Sequence, residues 1–195
     1  MILGSSLGTA PSAVGLDRAP CPLCQGPHGR PVVRRSERLH FSLAYVQNVS
    51  LIALCRSPVG IDIESADRLQ PQALLQRLHP AEVTALMARP YRQRKDAMLR
   101  CWTRKQAYVK GLGTGLAMPM SHVYVGLGFP SGGLDDLTAR NGWALTSLTA
   151  PHGYAIGIAL LPPPATRGRP TARIHTLRQS TEVTRTLQLA SPAAG

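Results

Sequence analysis

Acidic and aromatic side chains are both scarce in this chain. Only 10 of its 195 residues are Asp or Glu, against 22 Lys and Arg, and the formal net charge is +12. Aromatics make up 5% of the residues. A surface this basic favours polyanions or acidic partners. A nucleic-acid reader would also show a basic stripe with interleaved aromatics, or a recognisable module. No helix-turn-helix, RNP or finger spacing occurs, and many arginines fall in segments that read as loop or C-terminal tail. Nucleic acid is therefore not expected as a partner. An acidic protein and a phosphate-rich small molecule account for the charge equally well. Long apolar runs are missing too, so no membrane span is expected. The opening "MILGSSLGTAPSAVGL" has no basic segment of the kind a secretory signal begins with, and the expected location is cytoplasmic.

Cysteine is limited to Cys21, Cys24, Cys55 and Cys101. Cys21 and Cys24 form a C-x-x-C, followed by His28. Structural zinc usually takes four ligands from two such pairs, and no second pair exists. A thiol pair packed in a loop of a reducing compartment is the expected reading.

What is present is enough for a core: 44% of residues are hydrophobic, and the length suits one domain or two small subdomains. Residues 1–18 read as a helix end and a loop. Residues 19–31 carry four prolines and are turn-rich. Strands are expected at "PVV", "LHFSLAY", "VSLIAL" and "VGIDIE", the second showing a period of two. Residues 71–89 and 94–111 read as helices. Pro80 suits a first helical position, and Glu82 suits a first turn. Glycines 111, 113 and 115 stop the second helix. Three more strands are expected at 122–127, 143–148 and 153–161. Residues 162–195 are rich in Pro, Thr, Ser and Arg and read as a disordered tail. Strands, two helices, then strands indicate an α+β fold with an antiparallel sheet.

Two patterns carry candidate chemistry. Asp62 and Glu64 stand at i and i+2, which on a strand points both carboxylates to one face and Ile61 and Ile63 to the other. Such a pair suits Mg²⁺, which takes one or two carboxylates and completes its shell with water and phosphate oxygens. A solvated strand end explains the pair as well. In "CWTRKQAYVKGLGTGL", Trp102, Gln106 and Lys110 form a column one turn apart, with Lys105 about 100° round the helix. Lysines suit phosphate oxygens; an ordinary amphipathic helix explains them equally. "HGRP" offers a turn with Arg30 that could cradle a phosphate.

Taken in order, four stretches resemble the 4′-phosphopantetheinyl transferase superfamily, in its larger, surfactin-synthetase-activating type. "CPLCQGPHGRP" is similar to its C-x-x-C-G-x-x-H-G-[KR]-P segment, "HFSLAYVQNVSLIAL" to its F-[NS]-[LI]-S-H-S strand pair, "PVGIDIE" to its metal-binding segment, and "CWTRKQAYVKGLGTGL" to its W-[ST]-x-K-E-[AS]-x-x-K-x-x-G-x-G-L helix. The likeness covers roughly residues 20 to 161. It implies a pseudo-dimer of two α/β halves with coenzyme A bound between them and Mg²⁺ on its pyrophosphate. It also implies transfer of 4′-phosphopantetheine to a serine of an acyl or peptidyl carrier protein. By position, Asp62 and Glu64 become metal ligands. Arg30, Tyr45, Lys105 and Lys110 become coenzyme A contacts. Glu64, Lys110 and Gln106 become the catalytic set, with Gln106 also at a metal-ligand position.

Three departures bear on activity. Gln106 stands where the family has a glutamate that ligates metal and is the proposed base. An amide can ligate but cannot accept a proton near pH 7, and loss of a general base typically costs about 10²–10⁴ in rate. Tyr45 replaces a histidine, and its neutral hydrogen bond is weaker than a charge-assisted one. The stretch before Gly60 is short for the family. The resulting expectation is an incomplete N-terminal lobe over 1–57, a C-terminal lobe with the metal site over 58–161, and the tail over 162–195. Such a protein would be a monomer or self-associate through the truncated lobe. The expected function is an impaired transferase. The alternatives are a member that binds coenzyme A or carrier protein without transfer, and a repurposed biosynthetic enzyme.

Overall fold

The computed structural model describes residues 2–36, 38–129, 138–161, 171–178 and 181–188. A short helix α1 (Ile2–Leu7) leads to a two-stranded ribbon, β1 (Leu16–Arg18) with β2 (Pro31–Val33). A hairpin follows, β3 (His40–Val46) with β4 (Val49–Cys55), and then β5 (Val59–Ser65). The helical region is α2 (Pro71–Leu75), α3 (Pro80–Met87) and the 22-residue α4 (Tyr91–Leu112). The chain continues with β6 (Thr138–Arg140), β7 (Trp143–Leu148), β8 (Tyr154–Leu160), β9 (Thr171–Arg178) and β10 (Thr181–Gln188). The α+β class with antiparallel pairing is as expected.

Two four-stranded sheets form, ordered β10-β9-β4-β3 and β5-β8-β7-β6. They share one apolar core. Ala44, Val46, Val49, Leu51, Ala53 and Ile174 come from the first sheet, and Ile61, Ile63, Ile156, Ile158 and Leu160 from the second. The other face of the second sheet packs against α4 through Leu145, Ala159, Ala107 and Val109. The second sheet is thus buried on both sides, which is why β7 and β8 are buried almost throughout. Close approach of α4 depends on glycine. A Cβ on Gly60 would overlap the Ala107 carbonyl oxygen, and one on Gly157 would lie 2.6 Å from the Thr103 carbonyl.

Three expectations need correction. Residues 171–178 and 181–188 are strands, not a disordered tail. β9 pairs with β4 over Val49–Cys55 and buries Ala172 and Ile174 on the shared core. In 171–178 the buried Ala172 and Ile174 alternate with polar residues, and only an existing strand edge could use so short an apolar pattern. The helix expected over 71–89 is broken between Leu75 and Pro80. His79 caps the second piece, its side chain accepting from Ala81 N while Glu82 accepts from His79 N. Residues 122–127 bury Val123, Val125 and Leu127 in alternation, yet lie in no strand. Their backbone groups bond to side chains instead. Arg104 donates to the Val125 carbonyl and Lys105 to the Met120 and Val123 carbonyls, while Glu82 accepts from the N–H groups of Val125 and Gly126. Buried peptide groups must be paired, and here charged side chains do what a neighbouring strand would do.

Candidate active site

The period of two puts Gly60, Asp62 and Glu64 on the face of β5 that meets α4, while Ile61 and Ile63 enter the shared core. The column on α4 meets that face. Trp102 Nε1 donates to Glu64 Oε1 at 3.3 Å, and Lys110 Nζ lies 2.5 Å from Asp62 Oδ1. Gln106 sits midway between these two contacts on the helix, half-buried. The structure therefore gathers Asp62, Glu64, Gln106 and Lys110 in one place. Lys110 also donates to the carbonyls of Leu43 and Ile61, each at 3.3 Å, so it ties the β3 edge to the β5 edge.

Asp62 is 6% exposed. Its Oδ2 is buried without a hydrogen-bond partner among the described residues. Burial pushes its pKa up to about 7, against the pull of Lys110 downward. A buried carboxylate with one satisfied oxygen and one orphaned oxygen is costly unless a cation or proton completes it. Asp62 Oδ2, Glu64 and the Gln106 amide are all oxygen donors, the set a hard cation such as Mg²⁺ takes. The residues present fit such an ion.

Lys105 does not belong to this group. Its side chain is fully buried and forms an ion pair with Glu82 at 2.7 Å, besides its two carbonyl contacts. Three donors and three acceptors leave no N–H for a phosphate. The expectation of a coenzyme A contact at Lys105 is corrected to a structural role. Its 100° offset from Gln106 turns it into the helical layer instead of the cleft.

Arg30 reaches the same end of α4, donating from a terminal nitrogen to the Gly111 carbonyl at 3.3 Å. Its Nε is buried and has no hydrogen-bond partner among the described residues, and burial pulls its pKa down. His40 lies nearby, held below its ordinary pKa by burial and then by the Arg30 charge. Thr114, 2% exposed, also has a buried, unpartnered hydroxyl. Gly113 closes α4 at φ +86° and sits against the Arg30 backbone. Two orphaned donors, Arg30 Nε and Thr114 Oγ1, thus flank the C-terminal end of α4. Sequence reasoning missed His40 and Thr114. The signal for Thr114 was its place inside "GLGTG", which read as a helix stop alone. Tyr45 stands two residues beyond Leu43 on β3, 82% exposed. No hydrogen bond brings it to the Asp62 group among the described residues.

Beside Glu64 and Trp102 a cavity of about 210 Å³ opens towards α2, with Arg68 and Arg77 among its lining residues. Arg77 lies over the Trp102 ring, 5.9 Å from its centroid. The carboxylate group is therefore reached from a side that carries positive charge. No helix among the described residues is long and apolar enough to cross a membrane.

Residues 58–159, just over half of the chain, match the family model of the 4′-phosphopantetheinyl transferase superfamily. The chain belongs to that superfamily. Among curated relatives it is 27% identical to a 4′-phosphopantetheinyl transferase of Bacillus subtilis, over 60% of this chain and 53% of the relative. It is 34% identical to the 4′-phosphopantetheinyl transferase HetI of Nostoc sp., over 60% and 48%. It is 23% identical to the 4′-phosphopantetheinyl transferase Sfp of Bacillus subtilis strain 168, over 57% and 50%. These likenesses support the Sfp type. The chain spans about half the length of the curated relatives it matches.

Proposed function

We propose that this chain transfers 4′-phosphopantetheine from coenzyme A to a serine of an acyl or peptidyl carrier protein, slowly, in the cleft where the edges of the two sheets meet. The observation that carries the reading is the orphaned Oδ2 of Asp62 beside Glu64 and the Lys110 column. In this reading the two sheets are the two halves of the family's pseudo-dimer, the first one abbreviated. Asp62, Glu64 and Gln106 hold Mg²⁺, which when bound offsets the charge of the pyrophosphate.

The chain's own residues do the rest. Arg30 and Thr114 turn their free donors to phosphate oxygens of coenzyme A, and Lys110 balances the charge near Asp62. Tyr45 is free to contact a ligand lying along the β3 edge. Arg68 and Arg77 favour the approach of an acidic carrier protein. The serine oxygen forms a bond to the phosphorus that carries pantetheine. The bond from that phosphorus to the bridging oxygen breaks, and 3′,5′-ADP leaves with the electron pair. The serine proton needs an acceptor. Gln106 cannot take it, and Glu64, held by Trp102, is the remaining carboxylate placed to do so. Slow turnover follows from that substitution.

The test is intact-mass analysis of an apo carrier protein incubated with coenzyme A, Mg²⁺ and the chain. One added phosphopantetheinyl group is expected, formed slowly, and Gln106→Glu should raise the rate by about 10²–10⁴. No mass gain with either protein at high concentration overturns the proposal. A gain that Gln106→Glu leaves unchanged or abolishes assigns Gln106 a different task. Gln106 also favours a second reading, a member that binds coenzyme A without transfer. Calorimetric binding of coenzyme A with no mass gain would select it.

A further inference from the structure

The turn-rich stretch that read as a packed thiol pair has a different geometry in three dimensions. Between β1 and β2 the chain folds back on itself. Gln25 N donates to the Cys21 carbonyl, while Cys21 N and His28 N both donate to the Gly26 carbonyl, all at 2.8–2.9 Å. Gln25 takes φ +60°, which closes the turn tightly. The result brings three metal-ligating atoms together. Cys21 Sγ, Cys24 Sγ and a His28 ring nitrogen all lie within 4.8 Å of one another, and Cys24 Sγ is 2.9 Å from His28 Nε2.

Those spacings bracket what a tetrahedral ion needs. With Zn–S near 2.3 Å and Zn–N near 2.0–2.1 Å, neighbouring ligands sit about 3.5–3.8 Å apart. Two thiolates and an imidazole are the donors that select zinc over magnesium or calcium. The backbone around them is already arranged. The bonds from Cys21 N and His28 N to the Gly26 carbonyl tie the backbone of two of the three ligands together. Gly26 leaves room where a Cβ would meet the His28 ring at 3.0 Å and Cys24 Sγ at 3.3 Å. Cys21 is buried, whereas Cys24 and His28 are exposed. Solvent can therefore reach the fourth position of a tetrahedron.

We propose that Cys21, Cys24 and His28 bind one Zn²⁺, with water in the fourth position. The ion closes the base of the loop that delivers Arg30. Gly29 and Arg30 follow His28 directly, Gly29 N donates to the Ala19 carbonyl, and Arg30 reaches Gly111 on α4. A metal here holds the Arg30 turn in register without touching the Asp62 group. The inference does not depend on the transfer reaction, since it rests on residues outside that cleft.

Metal analysis and cobalt substitution test it. Purified under reducing conditions with zinc supplied, the protein should hold one equivalent of zinc per chain after desalting. Replacement by Co²⁺ should give the intense visible bands of a tetrahedral thiolate site. Cys24→Ser with His28→Ala should lose both signals, and Cys55→Ala should keep them. His28→Cys should retain the metal and shift the cobalt spectrum towards three thiolates, which a collapsed variant could not do. Chelation should speed amide exchange in residues 19–30 and leave α4 unchanged. Zinc at background levels in the reduced protein overturns the proposal. So does stoichiometric binding that survives Cys21→Ala, Cys24→Ala and His28→Ala together, or recovery of the reduced preparation with Cys21 and Cys24 joined as a disulfide.

Discussion

Replacing Lys105 by methionine separates the two roles that its position in the family motif allows. Methionine keeps most of the stem's volume and deletes the charge. In the structure Lys105 Nζ has three acceptors: Glu82 Oε2 at 2.7 Å, the Met120 carbonyl at 3.0 Å and the Val123 carbonyl. Both partners of the ion pair are fully buried. After the substitution Glu82 keeps its backbone donors from His79, Val125 and Gly126 but loses its counter-charge. Removing one partner of a buried ion pair typically costs about 3–5 kcal/mol. Two carbonyls left unsatisfied belong to the same loss, so roughly 4 kcal/mol is the expected total. With a urea slope of about 2 kcal/mol/M, the unfolding midpoint should fall by about 2 M. The transition can be followed by tryptophan fluorescence, because Trp102 and Trp143 are both buried. Adding Glu82→Gln to Lys105→Met should recover part of the loss by removing the stranded charge. The folded fraction at low temperature should bind coenzyme A as the parent chain does. An unmoved midpoint with a tenfold loss of coenzyme A affinity would refute the structural reading of Lys105.

Three further outcomes follow from the same geometry. Asp62 is the group whose folded pKa, about 7, lies above its unfolded value of about 3.9. Its contribution to stability is therefore full below about pH 4 and is lost as pH rises through 7, by roughly 4 kcal/mol in the metal-free protein. Urea midpoints of the parent relative to Asp62→Asn should decline between pH 4 and 8, and Mg²⁺ should offset the decline at the upper end. Gly60→Ala should unfold the chain or shift its thermal midpoint sharply downward, because the new methyl group meets the α4 backbone at Ala107 and no side chain there can give way. Arg30→Ala removes the unpartnered Nε and should weaken coenzyme A binding, measured by calorimetry, with a small change in stability because its single bond to Gly111 is long.

The sequence by itself determined the local elements that rest on period and punctuation. Alternation in "LHFSLAY" and "VGIDIE" became β3 and β5. Pro80 marked a helix start correctly, and of the glycines 111, 113 and 115 expected to stop the long helix Gly113 closes it while Gly111 lies inside it. Motif spacing put Asp62 and Glu64 on one strand face and Trp102, Gln106 and Lys110 on one helix column, because a strand period and a helical turn are local geometry; the docking of that column on that face, through Trp102–Glu64 and Lys110–Asp62, is tertiary. Tertiary structure alone decided the rest. Lys105 is five residues from Lys110 on one helix. It differs in role because Glu82 and the 120–125 carbonyls happen to pack beside it. Residues 171–178 became a strand because β4 offers a free edge and an apolar face, neither of which lies near them in the chain. Cys21, Cys24 and His28 needed only a turn to meet. Whether that turn converges on one point depends on backbone angles at Gln25 and Gly26, and sequence spacing alone does not specify those. Charge and periodicity are properties of a segment, whereas burial and partnership are properties of what folds against it.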